Sequence, residues 1–226
     1  REALALAGPG ATIQFSAALL NQVIKLTYSS TATLPIANVQ IVGLGAPFLT
    51  IDANSRGAAF QAISGESLVS HLTVTGGTNS GIIVGSGTSL SIDGLVVRGN
   101  RAGSSDGGGI RNQAGTLTVA NSTIFDNLAM FGGGIHSWGP DAVVTITDST
   151  VRGNSSIQCG GGVYNGYSST MTIADSLISD NRSESSGGGI YTQAGTLTLV
   201  HSTISGNTTG VSGGQGGGLY VGSSLD

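Results

Sequence analysis

Arg111, His136, Tyr164, Tyr191 and Tyr220 each stand two residues past a run of three glycines. Gln113, Trp138 and Gln193 follow two positions later in their own stretches. On an extended strand, residues two apart share a face. Rings beside polar side chains on one strip can pack against sugar rings. This strip, led by Arg111, His136, Trp138, Tyr164, Tyr191 and Tyr220, is therefore the candidate face for a glycan or a protein partner. The structural alternative is that aromatic residues simply suit a β surface.

Carboxylates offer a second chemistry. Glycoside hydrolysis generally uses two of them, about 5–9.5 Å apart. Asp126 and Asp180 share one register two repeats apart, and Asp148 and Asp175 share another one repeat apart. Neither pair falls on the aromatic strip, and Asp is common in turns. A calcium-dependent lyase site needs several converging acids with a base, and none is legible. His71, His136 and His201 lie on different faces or coils, so no Ser-His-Asp set forms. No catalytic residue is assigned. A polysaccharide-degrading enzyme stays as the alternative to a binding or structural role. Cys159 is the single cysteine, which leaves no disulfide framework and no Cys-based metal site. No metal or cofactor is expected.

A third possibility lies in Thr116-x-Thr118, Thr170-x-Thr172 and Thr196-x-Thr198, with Ser89-x-Ser91 and Val143-x-Thr145 between them. A flat Thr-x-Thr array resembles the surface of ice-binding solenoids, and this is a minor alternative. Asn121, Asn154, Asn181 and Asn207 begin glycosylation-type tripeptides. Three of these are expected inside the fold and are discounted.

The elements that must position these residues come from a repeat. Gly107-Gly108-Gly109-Ile110 recurs at 132–135, 160–163, 187–190 and 216–219. Asn100, Asn127, Asn154, Asn181 and Asn207 precede the runs at a nearly constant interval. The unit is thus about 27 residues long, within the range of solenoid repeats. Each unit holds three short strand patterns: Ile110-Arg111-Asn112-Gln113, Leu117-Thr118-Val119 and Ser122-Thr123-Ile124, with their copies. Their period is two, so one side is buried and the other wet. Equivalent strands one unit apart then pair in parallel as stacked coils, roughly 4.8 Å apart. Hairpin turns are missing, and a propeller blade needs about 40–45 residues.

The prediction is an all-β, right-handed, single-stranded parallel β-helix with three strands per coil. Shorter coils, of about 23 residues, are expected before Asn100, still long enough for a solenoid unit. Residues 1–47 are read as a cap with irregular first strands, including a short helix from Arg1 to Ala7 that shields strand edges. Residues 48–226 are read as continuous coils. The asparagines should form a hydrogen-bonded ladder and occupy left-handed backbone. Ser122, Ser149, Ser176 and Ser202 should form a second ladder. Asn121, Asp148 and Asp175, with His201 as a variant, should make Asx turns.

Composition agrees. Glycine is 39 of 226 residues, proline 4 and charged residues 9%, with a net charge of −4. The low charge and the many aliphatic residues exclude disorder. Lys25 is the one lysine and the seven arginines are scattered, so no nucleic-acid footprint exists. No apolar run is long enough for a membrane helix. Arg1 at the start and Ser223-Ser224-Leu225-Asp226 at the end, just inside a new repeat, read as cut ends.

The pairing of Gly-Gly-Gly-Ile with Ile-x-x-Asn (Ile124 to Asn127, Val151 to Asn154, Ile178 to Asn181, Ile204 to Asn207) resembles the repeats of chlamydial polymorphic outer membrane proteins. Those carry Phe where this chain has Ile or Val. Arg1-Glu2-Ala3-Leu4 is similar to the tail of the Cys-Ser-Leu-Arg-Glu-Ala motif of secreted bacterial β-helix proteins. The Cys-Ser-Leu part is missing here. The resemblance implies an extracellular or cell-surface solenoid with a structural or adhesive role and no particular catalytic residue. Its expected partners are surface glycans or further copies of itself, end to end.

Overall fold

The computed structural model describes residues 2–27, 33–210 and 214–222. Arg1 and Ser223–Asp226 lie outside the described residues. Three eight-stranded parallel sheets run the length of the chain, and each of about eight coils contributes one strand to each sheet. One sheet follows the glycine runs and is called the glycine wall; it includes Ile110–Gln113, Ile135–Trp138, Val163–Gly166 and Ile190–Gln193. The threonine wall includes Thr116–Ala120, Val143–Thr147 and Thr170–Ala174. The serine wall includes Thr123–Phe125, Thr150–Arg152 and Leu177–Ser179. Inward aliphatic residues line up coil upon coil, as in Ile124, Val151 and Ile178, and merge into one continuous core.

The structure adds a fourth sheet that the strand patterns miss. Leu128–Ala129, Ser155–Ser156, Arg182–Ser183 and Thr208–Thr209 pair in parallel just after each ladder asparagine. A pair of residues is too short to show a period. Coil length also departs from expectation. The step from strand to strand is short where Thr50 pairs with Thr73 and Thr73 with Val96. Before them, Gln22 pairs with Leu49 over a step as long as that from Thr123 to Thr150. The short coils are thus a local stretch. The strands Ala11–Gln14 and Gln22–Lys25 already belong to the long sheets. A helix at Glu2–Leu6 lies over the first coil, with Leu4 and Ala7 against the core. It closes a cavity of about 200 Å³ lined by Ile13, Phe15, Ile24 and Phe60, among others. This covers a sheet end that would otherwise present unpaired edges.

The asparagine ladder is buried from Asn100 to Asn181 and half-buried at Asn207. Asn127 Oδ1 accepts from both the backbone N–H (3.0 Å) and the side-chain amide (2.9 Å) of Asn100. The pattern repeats through Asn154, Asn181 and Asn207. From Asn127 onwards each amide also donates backwards, as Asn154 Nδ2 does to Ile124 O at 3.0 Å. The asparagines themselves are not left-handed, contrary to expectation. The residue before each one is: Gly99, Asp126, Gly153, Asp180 and Gly206 have φ of 54–65°. The serine ladder forms as expected. Ser122 N–H donates to Ser149 Oγ and Ser149 N–H to Ser176 Oγ, each at 3.1 Å. The corner before it is also left-handed backbone. Asn121, Asp148, Asp175 and His201 all have φ of 46–49°, and this bend is what replaces the Asx turns predicted there.

The glycine run divides its work. The first member, such as Gly160 at φ 69°, makes the turn. The second is needed for close approach. A Cβ on Gly161 would sit 2.4 Å from the carbonyl oxygens of Arg182 and Gly188.

Replacing Asn154 by Ala removes two donated and two accepted side-chain bonds and leaves the backbone N–H and one amide hydrogen of Asn127 without an acceptor inside. A loss of about 3 kcal/mol is expected, since stranding a buried polar group costs roughly 1–3 kcal/mol. The midpoint of guanidinium unfolding, read by circular dichroism, should fall well below that of Asn207→Ala in the more open last coil. Equal, small shifts would show that the ladder is not a major source of stability.

Candidate functional site

Strand register puts Arg111, His136, Tyr164, Tyr191 and Tyr220 in one file, each opposite the next. The rings stack on one another. Centroids are 4.9 Å apart for His136 and Tyr164, 5.2 Å for Tyr164 and Tyr191, and 5.1 Å for Tyr191 and Tyr220. Interplanar angles are 13–17°. Each ring therefore covers a face of its neighbour. A sugar cannot stack on a face already taken. The column mainly braces its own wall, and the Tyr164 hydroxyl turns along it to donate to Gln193 Oε1 at 3.4 Å.

The column changes character at its lower end. His136, expected to face solvent, is only 6% exposed. The turn between ladder asparagine and glycine run brings Asp106 and Phe131 alongside the glycine wall. Phe131 meets Tyr164 edge-on at 5.4 Å. Trp138 stacks on Tyr167 at 4.8 Å and remains 49% exposed. Together Asp106, Arg111, Gln113, Phe131, His136, Trp138 and Tyr164 line a cleft of about 310 Å³. Asp106 and Phe131 are not on the aromatic strip, so strand spacing alone could not add them. They come from turns that vary from coil to coil.

The polar groups of this cleft are not satisfied by one another. His136 Nε2 stands 3.9 Å from Asp106 Oδ2, too far for a direct hydrogen bond. His136 Nδ1 and Arg111 Nε are buried without a hydrogen-bond partner. Burial pulls the His136 pKa down to about 3, and the positive Arg111 adds to this. The imidazole is thus neutral at neutral pH, and its contact with Asp106 is not an ion pair there. Burial raises the Asp106 pKa, opposed by Arg111 and by a hydrogen bond from the Phe131 backbone. Burial lowers the Arg111 pKa, opposed by Asp106. Burial pushes Tyr164 up to about 12. One cation, one carboxylate, one neutral imidazole and one amide surround a partly aromatic hollow. That set can hold a small hydroxylated or charged guest. With one carboxylate, it lacks the pair that glycoside hydrolysis generally uses.

The other candidate residues lie elsewhere. Asp148 and Asp175 line a larger but open depression on the corner with Ser149, Ser176 and His201. His201 Nδ1 is 3.5 Å from Asp175 Oδ1 on an exposed surface. Asp126 and Asp180 are exposed corner residues. Among the described residues, no three of His, Cys, Asp and Glu group together to hold a metal. Thr118, Thr145, Thr172 and Thr198 form an unbroken outward file. The file beside it is interrupted at Val143. Asn154 and Asn181 are fully buried in the ladder, which places two of the glycosylation-type asparagines out of reach.

One coil matches a known repeat. Residues 175–193 match the Chlamydia polymorphic membrane protein repeat. The stretch contains Ile178, the ladder Asn181, the run Gly187-Gly188-Gly189-Ile190, and Tyr191. It therefore spans the serine-wall strand, the ladder, the glycine turn and the glycine wall. Curated proteins return no match, and solved structures return none either.

A buried neutral histidine makes stability depend on pH. Its folded pKa lies below the unfolded value of about 6.5, so its contribution is whole above that value. It is lost as pH falls towards 3, because the unfolded chain then binds a proton the folded chain refuses. Asp106 works the other way, its raised pKa reducing stability as pH rises through it. The His136→Gln variant should remove the first effect. Between pH 7 and 4.5, the unfolding midpoint of the parent should drop more than that of the variant. Parallel curves would mean that His136 is not held neutral.

Proposed function

We propose that the chain is a right-handed β-helix on a bacterial cell surface, where it serves as a rigid structural or adhesive scaffold. The observation that carries this is the repeat itself. The coil that matches the polymorphic membrane protein repeat is built on the ladder and glycine turn that recur through the other coils from Asn100 onwards. Right-handedness follows from the strong preference of parallel crossovers for that hand. Arg1-Glu2-Ala3-Leu4, with its likeness to the opening motif of secreted β-helix proteins, supports export. The threonine wall fits a display surface. From Thr116 to Val200 its outward positions are Thr, Ala and Val, with no charge. No helix among the described residues is long and apolar enough to cross a membrane.

Labelling intact source bacteria with antibody against the purified chain tests this. Strong labelling without permeabilisation is expected, and protease added to whole cells should remove it. Labelling that appears only after permeabilisation overturns the surface assignment.

End-to-end association is the second reading. The outermost described strands, Thr196–Val200, Thr203–Ser205 and Leu219–Gly222, have one unpaired edge each. Leu199, Val200, Leu219 and Val221 are exposed there. Unpaired parallel edges with apolar side chains invite another copy. Electron microscopy of the purified chain at high concentration should show rods several molecules long. A field of dispersed monomers counts against it.

A further inference from the structure

We propose that the cleft at the lower end of the ring column is a binding site for a single neutral sugar ring. This goes beyond the surface assignment, because it concerns one cleft and one guest and holds wherever the chain resides. Four observations carry it.

The first is size. At about 310 Å³ the cleft lies at the small end of ligand pockets, which run from roughly 300 to 1,000 Å³. It suits one ring, not an extended chain.

The second is the polar set. Nε2 of His136 and Oδ2 of Asp106 are 3.9 Å apart, a separation that a single hydroxyl can bridge. His136 is more than nine-tenths buried, yet its Nδ1 has no partner. Arg111 sits within Coulombic reach of Asp106 without an ion pair between them among the described residues. The unpaired Nδ1 of His136 and Nε of Arg111 are enclosed, so a guest carrying several hydroxyls bonds instead the groups that line the cleft: Nε2 of His136, the Asp106 carboxylate and Gln113.

The third is the apolar side. Trp138, Phe131 and Tyr164 border the same space. Trp138 is backed by Tyr167 on one side and remains half exposed. A sugar ring has a C–H face for the indole and hydroxyls for the opposite wall. A simple ion has no such face.

The fourth is charge. The lining includes one carboxylate and one guanidinium and sums to zero. Nothing in that balance favours an acidic over a neutral guest. The neutral imidazole and the Gln113 amide add hydrogen-bonding groups that a hydroxylated guest uses fully and a zwitterion does not.

The stacked column sets the limit of the site. Tyr164, Tyr191 and Tyr220 cover each other's faces, so they provide no continuing platform. Affinity should stop rising after the first sugar.

The test is isothermal titration calorimetry of the intact chain with methyl glycosides of neutral hexoses and with their two- to six-unit oligomers. At least one monosaccharide glycoside should bind, and its longer oligomers should bind within about threefold of it. Trp138→Ala and Asp106→Asn should each weaken binding tenfold or more, with circular dichroism unchanged. Tyr220→Ala should leave it unchanged. Three results overturn the proposal: no neutral glycoside binds the folded chain at millimolar concentration; affinity climbs steadily with oligomer length and is lost in Tyr220→Ala; or free amino acids bind while sugars do not. None of these touches the surface assignment, which the labelling of intact cells decides separately.

Discussion

Everything in this molecule depends on the register between one coil and the next. Parallel strands contribute their hydrogen bonds only if each coil returns to the same phase. A slip of one residue would turn every inward aliphatic side chain to water. The buried asparagine file is the device that fixes the phase. In Asn127, Asn154 and Asn181 the Oδ1 accepts two bonds from the coil before it, and the amide donates both forwards and backwards. No other side chain of similar size has both functions in that geometry. Water is excluded there, so a slipped register would leave amides without partners. The cost of error is therefore concentrated at one point per coil, which is what makes the stacking specific.

The glycine run is the second half of the same constraint. Where the chain leaves the short fourth sheet, it must pass beneath the next coil's backbone with no room for a side chain. Gly133, Gly161 and Gly188 each have carbonyl oxygens within 2.5 Å of where a Cβ would be. The ladder and the glycine turn thus require each other. The asparagine holds neighbouring coils at one spacing, and that spacing forbids a Cβ a few residues later. The residues that recur most faithfully are therefore the ones with the least freedom to do anything else.

This explains what the sequence reveals and what it hides. Period-two alternation and the regular return of the asparagines made the three long walls, both ladders and the cap helix legible, because each leaves several regular marks. The fourth sheet left none, since its strands are too short to have a period. The inward polar file of Asn112, Ser137, Asn165 and Thr192 was also missed. It sits two residues after a core aliphatic, so alternation does place it inside, but its chemistry resembles a surface. Asn112 there accepts from Gly115 N–H and donates back to Gly115 O, sealing the corner into the threonine wall. At the cleft, Arg111, His136 and Trp138 could be chosen from spacing alone. Asp106 and Phe131 could not, because the turns that carry them differ in length from one coil to the next.

A perfect solenoid has little place for a small ligand, because stacking identical outward residues satisfies each with the next. The tyrosine file shows this, with each ring closed by its neighbour. A binding site needs a mismatch between adjacent coils, and this chain has one where Arg111 lies below His136 and the rings begin. Opposite His136 on that side stands Arg111 and not another ring, so the ring file ends there. The turn residues Asp106 and Phe131 close in around the break, and Trp138 moves to the corner beside it. Two unpaired buried groups, His136 Nδ1 and Arg111 Nε, stand together there because the repeat fails there. Function in such a fold is thus written in the departures from the repeat, and the regularity that reveals the fold is what isolates them.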